Sequence, residues 1–275
     1  MLETHYVESR RLGLTRRVTV WLPSRPRPDR GGPYPVLYLN DGQNLFDPAR
    51  AFAGNTWFVA ETALWLVRER RIPPLVIVGI DHGGDRRARE YLPVHDDRNP
   101  TREAPLGRQY AEFVTREVMP FINRTYPVGT GPSQTGLGGS SYGAVAALNT
   151  AFIKEGVFGR LLLESPSLYV GGRYLLRRAR AARRWPSRIY LGVGTAETSR
   201  LDLNEETVAN VLALERVLRT AGLGAKRLRV VVEPGATHSE GAWARRLPDA
   251  LQFLFGESMP APRPRRAEAG RHREG

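Results

Sequence analysis

The chain has 275 residues, a formal net charge of +13 and no cysteine. That length suits a single α/β domain, and the missing cysteines exclude disulfides, thiolate metal sites and a cysteine nucleophile. No stretch approaches the ~18 apolar residues that span a bilayer, and MLETHYVESRRLGL at the N-terminus lacks a signal-peptide core. A cytoplasmic protein with no membrane partner is therefore expected.

Short apolar runs alternate with longer helical patterns, as in a sheet flanked by helices. HYVESRRLG and TRRVTVWLP alternate with period two and read as an antiparallel hairpin. The proline-rich connection SRPRPDRGGP follows. YPVLYLN (34–40) reads as a buried strand ending at Asp41-Gly42, WFVAETALWLVRER (57–70) as a helix, and LVIVGI (75–80) as a central parallel strand. Residues 107–124 read as a helix interrupted at Pro120. QTGLGGS is a strand leading into the helix SYGAVAALNTAFIKEG. RLLLES (160–165) and RIYLGVG (188–194) are strands.

Between those two strands, residues 173–188 hold seven arginines and read as a solvated helix face. Residues 203–221 are a helix, KRLRVVVEPG (226–235) a strand and GAWARRLPDALQFLF (241–255) the last helix. The expectation is an α/β domain over 1–256, with about eight mostly parallel strands and helices on both faces. Residues 257–275 have the Pro/Ala/Arg/Glu/Gly composition of a disordered basic tail. Only Lys154 and Lys226 are lysines. Arginine-for-lysine usage on that scale reflects genome composition, so the charge does not by itself imply a nucleic-acid partner.

GLGGSSYGA (136–144) is the most informative stretch. A phosphate-binding P-loop would need a lysine after the glycines, and a dinucleotide fingerprint would need glycine at Ser141; both fail. Gly139-Ser140-Ser141-Tyr142-Gly143 instead fits G-x-S-x-G between a strand and a helix, with Ser141 central. A serine hydroxyl needs a base to become a nucleophile. Of five histidines only His238 lies between the last strand and the final helix, His272 falling in the tail, and it matches the chain order serine, acid, histidine. Past strand 188–194 the acids are Glu197, Asp202, Glu205 and Glu206. Glu197 is chosen, with Asp202 in reserve, because Asp202 suits a helix cap and the other two suit a first helical turn. The oxyanion donors are assigned to the backbone N–H groups of Tyr142, after the nucleophile, and Gln43, on the loop after the third strand. Asp81, His82, His95 and Asp96 lack ligand-like spacing on one element, so no metal and no cofactor are expected.

Four segments carry a family resemblance: VLYLNDGQNLFD (36–47), VGIDHGGDRRAREYLP (78–93), GLGGSSYGA (136–144) and PGATHSEGAW (234–243). With LLLESPSLY (161–169) and the GTAE turn, the chain resembles the putative-esterase branch of the α/β-hydrolase fold. That branch includes esterase D, enterochelin-type siderophore esterases, feruloyl and acetyl-xylan esterases and the antigen-85 mycolyltransferases. The resemblance implies a metal-free serine enzyme acting on a small-molecule ester, and it supports a glutamate acid at Glu197. It marks Arg87, Glu90 and Tyr91 as structural or cleft-lining. Three functions stay open: hydrolysis, acyl transfer by the same residues, and binding on a hydrolase scaffold. An acyl pocket is expected from loops 44–58, 82–105 and 165–175, with Phe46, Phe52, Trp57, Tyr169 and Tyr174.

Overall fold

A computed structural model describes residues 1–23, 33–99 and 103–256. Most of the proline-rich connection and the whole expected tail (257–275) lie outside the described residues. Eight strands form one sheet: β1 (Leu2–Ser9), β2 (Leu14–Trp21), β3 (Val36–Asn40), β4 (Val76–Ile80), β5 (Thr135–Ser140), β6 (Arg160–Glu164), β7 (Arg188–Gly194) and β8 (Leu228–Glu233). Their spatial order is β1-β2-β4-β3-β5-β6-β7-β8. β2 pairs antiparallel with both β1 and β4, and every later pairing is parallel. The expected hairpin is present, and β2 is its reversed member. The fold is the α/β-hydrolase fold.

Alternation along the strands divides the core. Val36, Tyr38, Val76, Val78, Leu161 and Leu163 face one side, with α3 (Gly107–Phe113), α4 (Met119–Thr125), α5 (Tyr142–Ile153), α6 (Val170–Ala181) and α7 (Leu201–Thr220). Leu37, Leu39, Ile77, Leu162 and Tyr190 face the other side, against α1 (Val59–Arg68) and α8 (Glu240–Phe255). Successive side chains on a strand point to opposite faces, so each of these strands serves both cores at once. The short α2 (Arg87–Tyr91) follows β4. α5 is apolar around most of its circumference, which fits a helix packed on all sides.

Two local readings change. The interruption at Pro120 is a π-helical stretch, Val114–Val118, that joins α3 to α4 without a gap. Proline has no N–H to donate one turn back, and a wider turn accommodates the missing bond. The arginine-rich segment is helical only to Ala181. Its first turn is irregular, with Gly171, Gly172 and Arg173 at positive φ. Residues 182–187 run irregularly into β7, where Pro186 cannot continue a helix hydrogen-bond ladder.

Candidate active site

β5 ends at Ser140 and α5 starts at Tyr142, so Ser141 alone makes the turn. Its backbone sits at φ 55°, ψ −125°, outside the regions that residues with a side chain normally occupy. Such strain persists only where the surroundings over-determine it. Here the Ser141 N–H donates to the Glu164 carbonyl at 2.9 Å, and its own carbonyl accepts from Val145 N–H at 3.2 Å.

The flanking glycines are required by space. A Cβ on Gly139 would lie 2.9 Å from the Gly143 carbonyl carbon. One on Gly143 would lie 2.6 Å from an Asp41 carboxylate oxygen, and that carboxylate is itself pinned by Arg87 at 2.7 and 2.9 Å. Gly143→Ala is therefore expected to displace the turn, and a reaction that uses the Ser141 hydroxyl should slow by about 10²-fold, since small misplacements of a reacting group carry such costs. Steady-state kinetics on p-nitrophenyl acetate would measure this, and wild-type kcat/KM in the variant would contradict it.

The loop after β3 crosses the front of the elbow. Asn40 donates from Nδ2 to the Gly143 carbonyl at 2.7 Å and accepts from Tyr110 OH at 2.6 Å. Asp41 adopts a left-handed conformation, and its N–H donates to Tyr91 OH at 3.1 Å. Glu90, next to Tyr91, is fully buried and paired with Arg16 at 2.6 Å. Arg87 and Tyr91 thus hold the β3 loop in place. In the tight turn Gly42–Asn44, Asn44 and Leu45 donate to the Asp41 and Gly42 carbonyls. The Gln43 N–H donates to no acceptor among the described residues. Asp41 and Asn44, on either side of Gln43, line the cavity beside Ser141, whereas Gln43 is not among its lining residues. Tyr142 stands at the first position of α5, where N–H groups lack intrahelical acceptors and the helix dipole favours negative charge.

His238 lies between β8 and α8, and its Nδ1 meets Glu197 Oε2 at 2.5 Å. The Glu197 side chain is 2% exposed and that of His238 35%. Glu197 Oε1 also accepts from Ser165 Oγ and from the Gly194 N–H, both at 2.6 Å. Burial alone would raise this carboxyl; the hydrogen bonds from His238, Ser165 and Gly194 and the charge of His238 outweigh it and hold the group below its usual value. Ser165 in turn accepts from Trp243 Nε1 at 2.9 Å, and the Trp243 ring stands edge-on to His238 with centroids 5.1 Å apart. Asp202 is elsewhere: its side chain is 63% exposed and pairs with Arg200 in the first turn of α7. Glu206 pairs with Arg98 at 2.5 Å.

Ser141 and His238 share the walls of two cavities, each about 360 Å³. One reaches past Ser167 and Tyr169 to α7; the other reaches past Asn44 and His82 to Phe52 and Trp243. The residues expected around the acyl pocket divide accordingly. Tyr169 lines the first and Phe52 the second. Trp57 is instead a core residue packed 5.7 Å from Trp243, and Phe46 and Tyr174 pack against the two cores. Large aromatics near a site satisfy burial as readily as recognition, and spacing along the chain does not separate the two uses.

The four residues weighed as a metal site are dispersed. Asp81 pairs with Arg50, His82 Nδ1 accepts from the Gly84 N–H at 2.9 Å, and His95 is exposed. Asp96 is buried, accepting from Tyr142 OH and, at 3.2 Å, from Tyr169 OH. Among the described residues no three His, Asp or Glu side chains gather as a metal site. Sequence reading missed Ser165 and Trp243, and weighed Asp96 only as a metal ligand. Ser165 and Trp243 lie inside stretches that carry the family resemblance, but their contacts to Glu197 and His238 cross from one element to another.

A family model described as Putative esterase matches residues 9–254. The uncharacterized protein YbbA of Bacillus subtilis (strain 168) is 24% identical over 248 residues, covering 88% of this chain and 94% of that one. Among solved structures, an IroE-like serine hydrolase from Shewanella oneidensis superposes with a TM-score of 0.73 at 21% identity, over 93% of this chain and 80% of the other. The siderophore hydrolase EstB from Aspergillus nidulans gives 0.71 at 19% identity, over 95% and 96%.

Proposed function

The chain belongs to this esterase family and is a carboxylic ester hydrolase; from that premise we propose that Ser141, His238 and Glu197 carry the reaction through an acyl-enzyme. The observation that supports this most is the His238–Glu197 pair on the wall of the cavity that holds the strained Ser141.

Glu197 accepts the Nδ1–H of His238, which fixes the tautomer and leaves Nε2 as the base. Ser141 Oγ attacks the ester carbonyl carbon and its proton passes to Nε2. The carbonyl oxygen becomes an oxyanion, stabilised by the N–H groups of Tyr142 and Gln43. Collapse breaks the bond to the alcohol oxygen, which takes the proton back from His238. Water then repeats the sequence on the acyl-enzyme, releasing the carboxylic acid and restoring Ser141. The imidazolium that forms twice per cycle is stabilised by Glu197, whose depressed pKa keeps it ionised at neutral pH.

The substrate is a small-molecule ester, and residues 1–256 form the catalytic unit. A fluorophosphonate probe tests the nucleophile directly. It should phosphonylate the protein once, on the peptide containing Ser141, and peptide mass spectrometry reads the site. Labelling at another serine would overturn the assignment.

A further inference from the structure

The cavity between the elbow and α7 contains an unused polar group. Leu203, Thr207 and Asn210 lie on one face of α7, spaced four and three residues apart, and all three line the cavity that also holds Ser141 and His238. Asn210 is 2% exposed, and its Nδ2 has no hydrogen-bond partner among the described residues. Of the buried unpartnered side-chain atoms there, it is the one on a residue that lines this cavity. Buried amides are normally paired, because an unmet donor forfeits the hydrogen bonds it made in water. A buried, unmet amide on a residue that lines the cavity holding Ser141 is therefore a candidate to meet a ligand atom there.

We infer that Asn210 is a specificity-determining residue that donates to an oxygen acceptor on one arm of the substrate. The inference rests on Ser141 being the nucleophile. The preferred esters carry an ether, hydroxyl or carbonyl oxygen a few atoms from the scissile bond. A plain alkyl arm of equal length leaves the Asn210 donor unmet and is disfavoured. The acceptor is neutral. Arg98, a cation on this cavity wall, is paired with Glu206 at 2.5 Å and stacked on Tyr169 at 3.9 Å, so its charge is already partly answered by a carboxylate. The cavity volume of about 360 Å³ suits a short chain, at the lower end of the ~300–1,000 Å³ typical of small-molecule sites.

The arm in question is the acyl chain or the alcohol, and isosteric ester pairs distinguish them. The acyl pair is p-nitrophenyl β-methoxypropanoate against p-nitrophenyl pentanoate. The alcohol pair is methoxyethyl acetate against butyl acetate. In each pair an ether oxygen replaces a methylene. For one pair, the ratio of kcat/KM values should favour the ether by about 10- to 100-fold more in the wild type than in Asn210→Leu. Asn210→Asp, which keeps the shape but replaces the donor with acceptors, should lose the preference too. Taking ratios within each variant cancels folding yield and intrinsic reactivity. Ratios that match between wild type and both variants in both pairs, with Ser141 labelled by the fluorophosphonate, would overturn the role of Asn210 and leave the nucleophile standing. Hydrolysis without labelling of Ser141 would overturn the nucleophile and this inference with it.

Discussion

Ser141→Ala should lower kcat/KM for p-nitrophenyl acetate by roughly 10⁴-fold or more while the protein stays folded. On the proposed mechanism the loss is this large because the alanine enzyme cannot form an acyl-enzyme; what remains is positioning and oxyanion stabilisation of a water attack. Stability should change little. Ser141 Oγ makes one long contact, 3.4 Å to Ser167 Oγ, so its removal strands no short hydrogen bond. The Ser141 backbone contacts that hold the turn are kept. Thermal unfolding separates the two cases: a wild-type Tm with lost activity supports the nucleophile, and a variant with more than a tenth of wild-type activity rules it out.

Glu197→Gln should lower kcat by roughly 10²–10⁴-fold, the scale set by replacing the acid of a serine triad with its amide. The carboxylate accepts from His238, Ser165 and the Gly194 N–H. A glutamine keeps one acceptor oxygen and turns an NH2 toward groups that are themselves donors, so the imidazole loses its fixed tautomer and its counter-charge. Asp202→Asn serves as the comparison, since Asp202 faces solvent and Arg200; its kcat should stay within a few-fold of wild type. Equal losses in both variants would remove Glu197 from the triad.

The same pair gives a pH dependence whose sign follows from linkage. The folded pKa of Glu197 is depressed, so its ionised form stabilises the native state above the ordinary carboxylate range. That contribution is lost as pH falls through the folded value. The Tm difference between wild type and Glu197→Gln should be level near neutrality and shrink on acidification. A difference that grows toward acid would contradict the depressed pKa.

Much of the fold was legible in the sequence because periodicity reports burial. The continuous apolar run at 75–80 and the shorter one at 161–163 belong to strands covered on both faces, and each lies inside the sheet. The elbow was legible because its glycines obey a local steric rule that Ser141 cannot escape. The aromatic pocket was misread for the opposite reason. Phe46, Trp57 and Tyr174 sit in loops or at helix ends near the site, and only packing decides that they face the cores. The arginine-rich stretch shows the same limit: composition suggested one helix face, whereas the regular turns stop at Ala181 and the second half runs irregularly to Pro186 and β7.

The amino-acid sequence by itself determined the strand and helix succession and the turn at Ser141, since each depends on neighbours a few residues apart. Only the tertiary structure decided which acid meets His238, because Glu197, on the loop after β7, and Asp202, in the first turn of α7, are five positions apart and differ in what folds against them. Ser165 and Gly194 donate to Glu197, and Trp243 donates to Ser165 behind it. Asp202 instead faces solvent, with Arg200 as its side-chain partner among the described residues. The open amide of Asn210 is likewise a tertiary fact, since a missing partner is visible only once every neighbouring element is in place.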